Sequence, residues 1–252
     1  MIDIHNLDID IGRARVVSQL TACFETGRLH AIIGPNGAGK TSLLKAVCGL
    51  LPSAAGGIRL DGHDLTALSL RERARLMAYL PQERAIAWDL KAIDIVTLGC
   101  ADLSAEDSLK HAQQQLEVMG LSDKAETSVF SLSGGQRARV LLARLLATDA
   151  KIYCLDEPLT ALDPAWQRRV LEVLKSRAAQ GRTIIVSLHD IGLAAQFADQ
   201  LWVLDQGRLV AHGEPEAALS DEVLRQVFNI TGNFAEGRNL RIDPQALPEH
   251  SA

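Results

Sequence analysis

Gly34-Pro35-Asn36-Gly37-Ala38-Gly39-Lys40-Thr41 is a glycine-rich turn that ends in a lysine and a hydroxyl residue. It follows an apolar run, Arg28 to Ile33, and precedes a helix-forming stretch, Thr41 to Leu51. That arrangement suits phosphate. Glycines let the backbone curl so that successive N–H groups face phosphate oxygens, and the helix start adds the positive end of its dipole. Lys40 brings a full charge to the terminal phosphates, and the Thr41 hydroxyl can ligate Mg²⁺. Ser42 is counted with the same phosphate-binding set.

Two further groups carry chemistry. Ile152-Tyr153-Cys154-Leu155-Asp156-Glu157 is an apolar strand ending in two carboxylates. Asp156 at the sheet edge can hold the Mg²⁺ shell, and Glu157, one residue on, can polarise the water that attacks a γ-phosphate. General-base help of this kind contributes on the order of 10²–10⁴ in rate. Alone, such a pair also reads as a polar strand end; behind a phosphate loop the catalytic reading prevails. Leu132-Ser133-Gly134-Gly135-Gln136 opens another helix with a hydroxyl and free N–H groups, a second anion site. From these residues alone it is equally a serine-capped helix with a flexible lead-in. Two phosphate-binding helix starts in one chain make sense when a nucleotide lies between two copies, each offering one.

The elements needed to hold these groups can be read from periodicity. Ile2, Ile4, Leu7, Ile9 and Ile11 alternate with polar residues, as short strands with one wet face do. Helices are expected over Leu70–Met77, Ser104–Met119, Gln136–Ala147 and Val223–Phe228, and Trp166, Val170, Leu174 and Ala178 mark one apolar helix face. Strands are expected at Ala78–Leu80, Ile152–Asp156 and Thr183–Leu188, with a hairpin around Asp205-Gln206-Gly207-Arg208. Strands alternating with helices imply a mainly parallel sheet, and the N-terminal strands an antiparallel edge beside it. The expected organisation is a single domain over 1–252. Residues 1–88 and 131–231 form its α/β core with the antiparallel edge, 89–130 an inserted helical subdomain and 232–252 a tail that frays from Asp243.

Composition narrows the partners. With 26 Lys+Arg against 31 Asp+Glu among 252 residues, and no long basic run, nothing marks a nucleic-acid surface. Met1 to His5 lacks a basic-then-apolar leader, so no export signal is expected, and no apolar run reaches spanning length. Cys23, Cys48, Cys100 and Cys154 are scattered without a CxxC, which reads as packing thiols in a reducing compartment.

In the order of these motifs the chain resembles the ATP-binding cassette (ABC) ATPases over about residues 1–215. The matching positions are Walker A (Gly34–Thr41), the Q-loop (Gln82), the signature (Leu132–Gln136), Walker B (Ile152–Glu157), the D-loop (Ala161-Leu162-Asp163) and the switch histidine (His189). The resemblance implies an α/β P-loop NTPase fold and a homodimer that sandwiches two Mg-ATP. Gln82 would contact Mg²⁺ or the attacking water, Asp163 would couple the two sites and His189 would reach the γ-phosphate. One departure stands at Ile11-Gly12, where many members carry an aromatic residue against adenine; Ile11 offers apolar contact without a ring.

Two classes of cassette remain open: a transporter's energising subunit, or a soluble ABC ATPase of DNA repair, chromosome structure or translation. Long coiled-coil heptads and a second cassette, usual in the latter, are absent from the sequence. The segment Glu83–Leu98 and the stretch Pro215–Phe228 resemble the iron-chelate, haem and cobalamin importer ATPases, with zinc, manganese, molybdate or exported substrates as alternatives. That resemblance implies integral membrane permease subunits, indirectly a substrate-binding protein, and a peripheral place on the cytoplasmic face of the inner membrane.

Overall fold

The alternating N-terminus forms one long strand, β1 (Ile2–Ile11), whose register shifts by bulges, instead of several short ones. It pairs antiparallel with β2 (Ala14–Phe24). The computed structural model describes residues 1–100, 103–235 and 238–243. The chain continues through β3 (Leu29–Ile33), α1 (Lys40–Val47), β4 (Ala55–Leu60), β5 (His63–Asp64), α2 (Leu70–Leu76) and β6 (Met77–Leu80). Next come α3 (Ala92–Thr97), α4 (Ala105–Val118), α5 (Gly134–Ala147), β7 (Ile152–Asp156), α6 (Pro164–Ala179), β8 (Thr183–Ser187) and α7 (Ile191–Phe197). Last are β9 (Gln200–Asp205), β10 (Arg208–Gly213), α8 (Pro215–Ala218), α9 (Asp221–Phe228), β11 (Thr231–Ala235) and β12 (Asn239–Asp243).

Two main sheets result. One runs β10-β9-β3-β8-β7-β6, parallel except for β10 at its edge. The other runs β2-β1-β4-β5 and is antiparallel throughout. The antiparallel strands thus form a sheet of their own across α1 from the parallel one, the antiparallel subdomain expected beside the core. The reason is α1. Its Leu43, Leu44, Ala46 and Val47 are buried, in one apolar cluster with Ile4 and Leu7 of the antiparallel sheet and Ile32, Cys154 and Ile185 of the parallel sheet. With Leu43, Leu44, Ala46 and Val47 buried on different sides of the helix, α1 is stable only when covered on both. Each such Leu or Val contributes roughly 1.5–3 kcal/mol when fully buried.

Helix ends are written in the local sequence. Ser69 and Glu72 form a reciprocal capping box on α2, the Ser104 hydroxyl accepts from Asp107 N on α4, and Asp163 with Pro164 starts α6. Helix α1 stops at Val47, short of the expected Leu51, because Gly49 takes a left-handed conformation (φ +65°). Helices α3, α4 and α5 pack on one another and share the apolar cluster on the other face of the parallel sheet. Beyond Gly232 the pattern reads as a fading tail, but the structure pairs β11 with β12 antiparallel, Thr231 opposite Asp243 and Ala235 opposite Asn239. Residues 244–252 of the expected tail lie outside the described residues. The four cysteines are free thiols.

Parallel order has a direct consequence. The carboxyl ends of β3, β7, β8 and β6 share one edge, so Gly34, Asp156, Ser187 and Pro81-Gln82, which end or follow those strands, come together there. Open α/β sheets place ligands at that edge.

Candidate functional site

The loop Gly34–Gly39 joins β3 to α1 and keeps its curl through glycines, two of which leave no room for a side chain. Gly34 has φ +152°, and a Cβ there would lie 2.1 Å from Leu204 O; Gly39 has φ +98° and would meet Val16 O at 2.7 Å. Lys40, 6% exposed, folds its ammonium back onto the loop, donating to Gly34 O at 2.7 Å and Pro35 O at 2.9 Å. Burial pushes its pKa below the ordinary lysine value, and the negative charges of Glu157 and Asp156 work against that shift. A cation held by carbonyl dipoles and two nearby carboxylates is a ready partner for phosphate oxygens.

Asp156 ends β7 fully buried. Its carboxylate accepts the Ser187 hydroxyl at 2.7 Å, and the Tyr79 hydroxyl at 3.5 Å. Burial, with Asp156 beside it, pushes the Tyr79 pKa up, so that hydroxyl stays a donor. Uncharged partners leave the Asp156 charge available to a cation. Carboxylate and hydroxyl oxygens, from Asp156 and Thr41, are the hard donors that Mg²⁺ takes alongside phosphate oxygens. The residues fit that ion. Among the described residues no cluster of three or more His, Cys, Asp or Glu forms an all-protein metal site.

Glu157 occupies left-handed backbone (φ +49°), uncommon for a residue with a side chain. Its N–H donates to Ser187 Oγ at 2.9 Å. Its Oε2 accepts from Gln82 Nε2 at 2.9 Å, and its Oε1 lies 2.5 Å from His189 Nε2, an ion pair when the imidazole is protonated. Gln82 comes from the end of β6 and His189 from beyond β8, so three parallel strands deliver three expected residues to one point. Beside them a cavity of about 140 Å³ is lined by Glu157, Thr160, Ser187, His189 and others.

The signature and D-loop side chains bond at the starts of α5 and α6. Ser133 caps α5 by accepting from Gln136 N at 3.2 Å, and the Gln136 side chain accepts from Ser133 N at 2.8 Å. Asp163 accepts from Trp166 N at 3.0 Å. These side chains hydrogen-bond within their own turns, and Ser133 and Gly134 are exposed. Gly135 approaches the D-loop: a Cβ there would meet Ala161 O at 3.0 Å. Ile11, at the end of β1, is 52% exposed. Sequence reasoning missed Ser187, which touches Asp156 and Glu157 at once, Tyr79, and Arg84, which donates to the carbonyls of Glu157 and Thr160. The signal for Ser187 was its place as the polar end of an apolar strand.

A phosphate loop between β3 and α1, with acidic residues at the carboxyl edge of a parallel sheet, defines a P-loop nucleoside triphosphatase. The family model of the ABC transporter ATP-binding region matches residues 17–160. The chain is 41% identical over 221 residues to the hemin import ATP-binding protein HmuV of Nocardia farcinica, covering 85% of this chain and 76% of that one. It is 34% identical over 233 residues to the cobalamin import ATP-binding protein BtuD of Halobacterium salinarum, covering 90% of this chain and 58% of that one. Among solved structures, a dimeric ATP-binding cassette in a post-hydrolysis state with ADP and phosphate superposes with a TM-score of 0.78 at 25% identity, over 85% of this chain and 99% of that one. The chain belongs to the ABC transporter family and is an ATP-binding, ATP-hydrolysing cassette.

Proposed function

We propose that this cassette hydrolyses Mg-ATP between two copies of itself and so drives a membrane importer of haem or a similar iron chelate. The observation that carries the catalytic part is the Glu157 carboxylate held between Gln82 and His189 at the sheet edge. In the reading advanced here, Lys40 and the loop amides bind the phosphates. Glu157 takes a proton from water as its oxygen bonds to the γ-phosphorus. The bond to the bridging oxygen breaks, ADP leaves with that electron pair, and inorganic phosphate forms. His189 holds the γ-phosphate and Gln82 orients the water. Thr41, Asp156 and Gln82 would hold Mg²⁺, which supplies positive charge against the phosphates when bound. Ser133, Gly134, Gly135, Gln136 and Asp163, exposed or capped within one subunit, would complete the site of a second copy. Ser133 and Asp163 make their hydrogen bonds within their own helix starts and remain exposed, which supports this dimer.

The haem reading rests on the relatives named for hemin and cobalamin import. No described helix is long and apolar enough to cross a membrane, so passage of substrate belongs to permease subunits, with a substrate-binding protein feeding them. The cassette would then sit peripherally on the cytoplasmic face, with 89–130 as its helical subdomain and 1–88 and 131–231 as its core. The test is to tag the chain, extract its complex from native membranes in mild detergent, and reconstitute what co-purifies into vesicles. ATP-driven uptake of haem supports the reading. A permease that moves cobalamin or another ligand instead keeps transport and discards haem, and an intact complex without any membrane protein discards transport.

A further inference from the structure

One cation at the site has no part in the reaction described so far. Arg84 follows Gln82 by two residues, in the stretch Pro81–Leu90 that forms neither helix nor strand. Its Nη1 donates to Thr160 O at 2.9 Å, and its Nη2 donates to the carbonyl of Glu157. Burial lowers its pKa from the ordinary arginine value, partly offset by the charge of Glu157. Its Nε is buried without a hydrogen-bond partner. Leaving a buried donor unpaired is costly, and more so for a charged group. The planar fork of a guanidinium offsets that cost by holding two carbonyls in one fixed geometry, which the flexible point charge of an ammonium does not impose.

The carbonyl it grips matters most. Glu157 holds an uncommon left-handed conformation (φ +49°). Its peptide is tied on one side by Ser187, through the N–H, and on the other by Arg84, through the carbonyl. With both sides fixed, the side chain emerges where Gln82 and His189 meet it. We infer that Arg84 is a positioning residue for hydrolysis: its guanidinium holds the Glu157–Thr160 turn, and so sets where the Glu157 carboxylate stands. This rests on the reading of Glu157 as the base. It also gives the segment Pro81–Leu90 a second connection to the acidic turn, through main chain and independent of the Gln82 side chain. The same segment carries Trp88, 74% exposed, and Ile86, packed against the core. A force on the exposed part of the segment therefore reaches the Glu157 backbone through Arg84.

The experiment compares Arg84→Ala, Arg84→Lys and Glu157→Gln in the full chain, measuring kcat, KM, equilibrium nucleotide affinity and thermal unfolding. A misplacement of about 1 Å can cost 10²-fold in rate. Arg84→Ala is therefore expected to lose roughly 10–100-fold in kcat with KM and nucleotide affinity unchanged. Arg84→Lys should recover little of it, and millimolar guanidinium should partly restore the alanine variant. A parent-like kcat in Arg84→Ala overturns the inference. So does a kcat loss matched by falling nucleotide affinity or melting temperature without guanidinium rescue, since that marks a merely structural arginine. Glu157→Gln turning over at the parent rate would sink the base assignment instead, whatever Arg84→Ala does.

Discussion

The Ser187 hydroxyl donates to Asp156 Oδ1 at 2.7 Å while accepting the N–H of Glu157 at 2.9 Å, so one side chain fixes two consecutive acidic residues. Ser187→Ala removes both bonds inside the protein and leaves a buried carboxylate one donor short. Each orphaned buried group costs about 1–3 kcal/mol. The variant should unfold at distinctly lower urea concentration and lose ATPase activity; parent-like stability would show that water replaces the hydroxyl.

Glu157→Gln keeps the shape of the side chain and removes its basicity. Hydrolysis should fall by on the order of 10²–10⁴, with ATP still bound and the dimer trapped in its ATP form. Size-exclusion chromatography with and without ATP reads the dimer, and phosphate release reads the rate.

The glycines of the phosphate loop should separate into two classes. A Cβ at Gly34 would stand 2.1 Å from Leu204 O, whereas one at Gly37 (φ +80°) meets nothing within 4 Å. Gly34→Ala should abolish nucleotide binding or folding. Gly37→Ala meets only the strain of left-handed backbone, about 1–3 kcal/mol, and should still bind ATP more weakly. Equal effects in a titration of both variants would argue against the close approach to β9.

His30 should make the fold acid-sensitive. Its Nδ1 accepts from Trp202 Nε1 at 3.3 Å, and its Nε2 faces Glu25 O at 2.9 Å, where only an N–H serves, so the neutral ring satisfies both. Burial lowers its pKa from 6.5. The unfolded chain therefore binds this proton more readily than the native one. The stabilisation is fully present above about pH 6.5 and is lost as pH falls through the lowered native value. Melting temperatures from pH 8 to pH 5 should drop more steeply for the parent than for His30→Gln; parallel curves would exclude His30 as the source.

Ser133→Arg should leave each subunit able to bind ATP but block hydrolysis, because the exposed cap of α5 serves the partner's nucleotide in the reading above. Full turnover by a variant that stays monomeric would refute the two-copy site.

What the sequence disclosed and what it hid follow from range. The phosphate loop, the strand Ile152–Asp156 and the helices over Leu70–Met77 and Ser104–Met119 are local patterns, set by residues a few positions apart. Strand β2 escaped because Ser18, Gln19 and Thr21 interrupt its apolar alternation and its bulged pairing with β1 breaks the period. The β11–β12 pair lacks a tight-turn dipeptide. At the site, Lys40, Asp156 and Glu157 stand in local motifs that mark them by type and position, whereas Gln82 and His189 were expected only from the family resemblance. The contacts of Arg84 with the Glu157–Thr160 turn span 73 to 76 residues and those of Ser187 span 30 to 31, separations at which no spacing rule operates.

Helix α1, clamped between two sheets, leaves the phosphate loop no independent way to move. Its amides are therefore ordered before any nucleotide arrives, and little chain entropy remains for binding to remove there. What ATP can rearrange must lie elsewhere, in parts not gripped from both sides. The stretch after Gln82 is one of these: no helix or strand backs it, and the side chains of Gln82 and Arg84 tie it to the turn at Glu157.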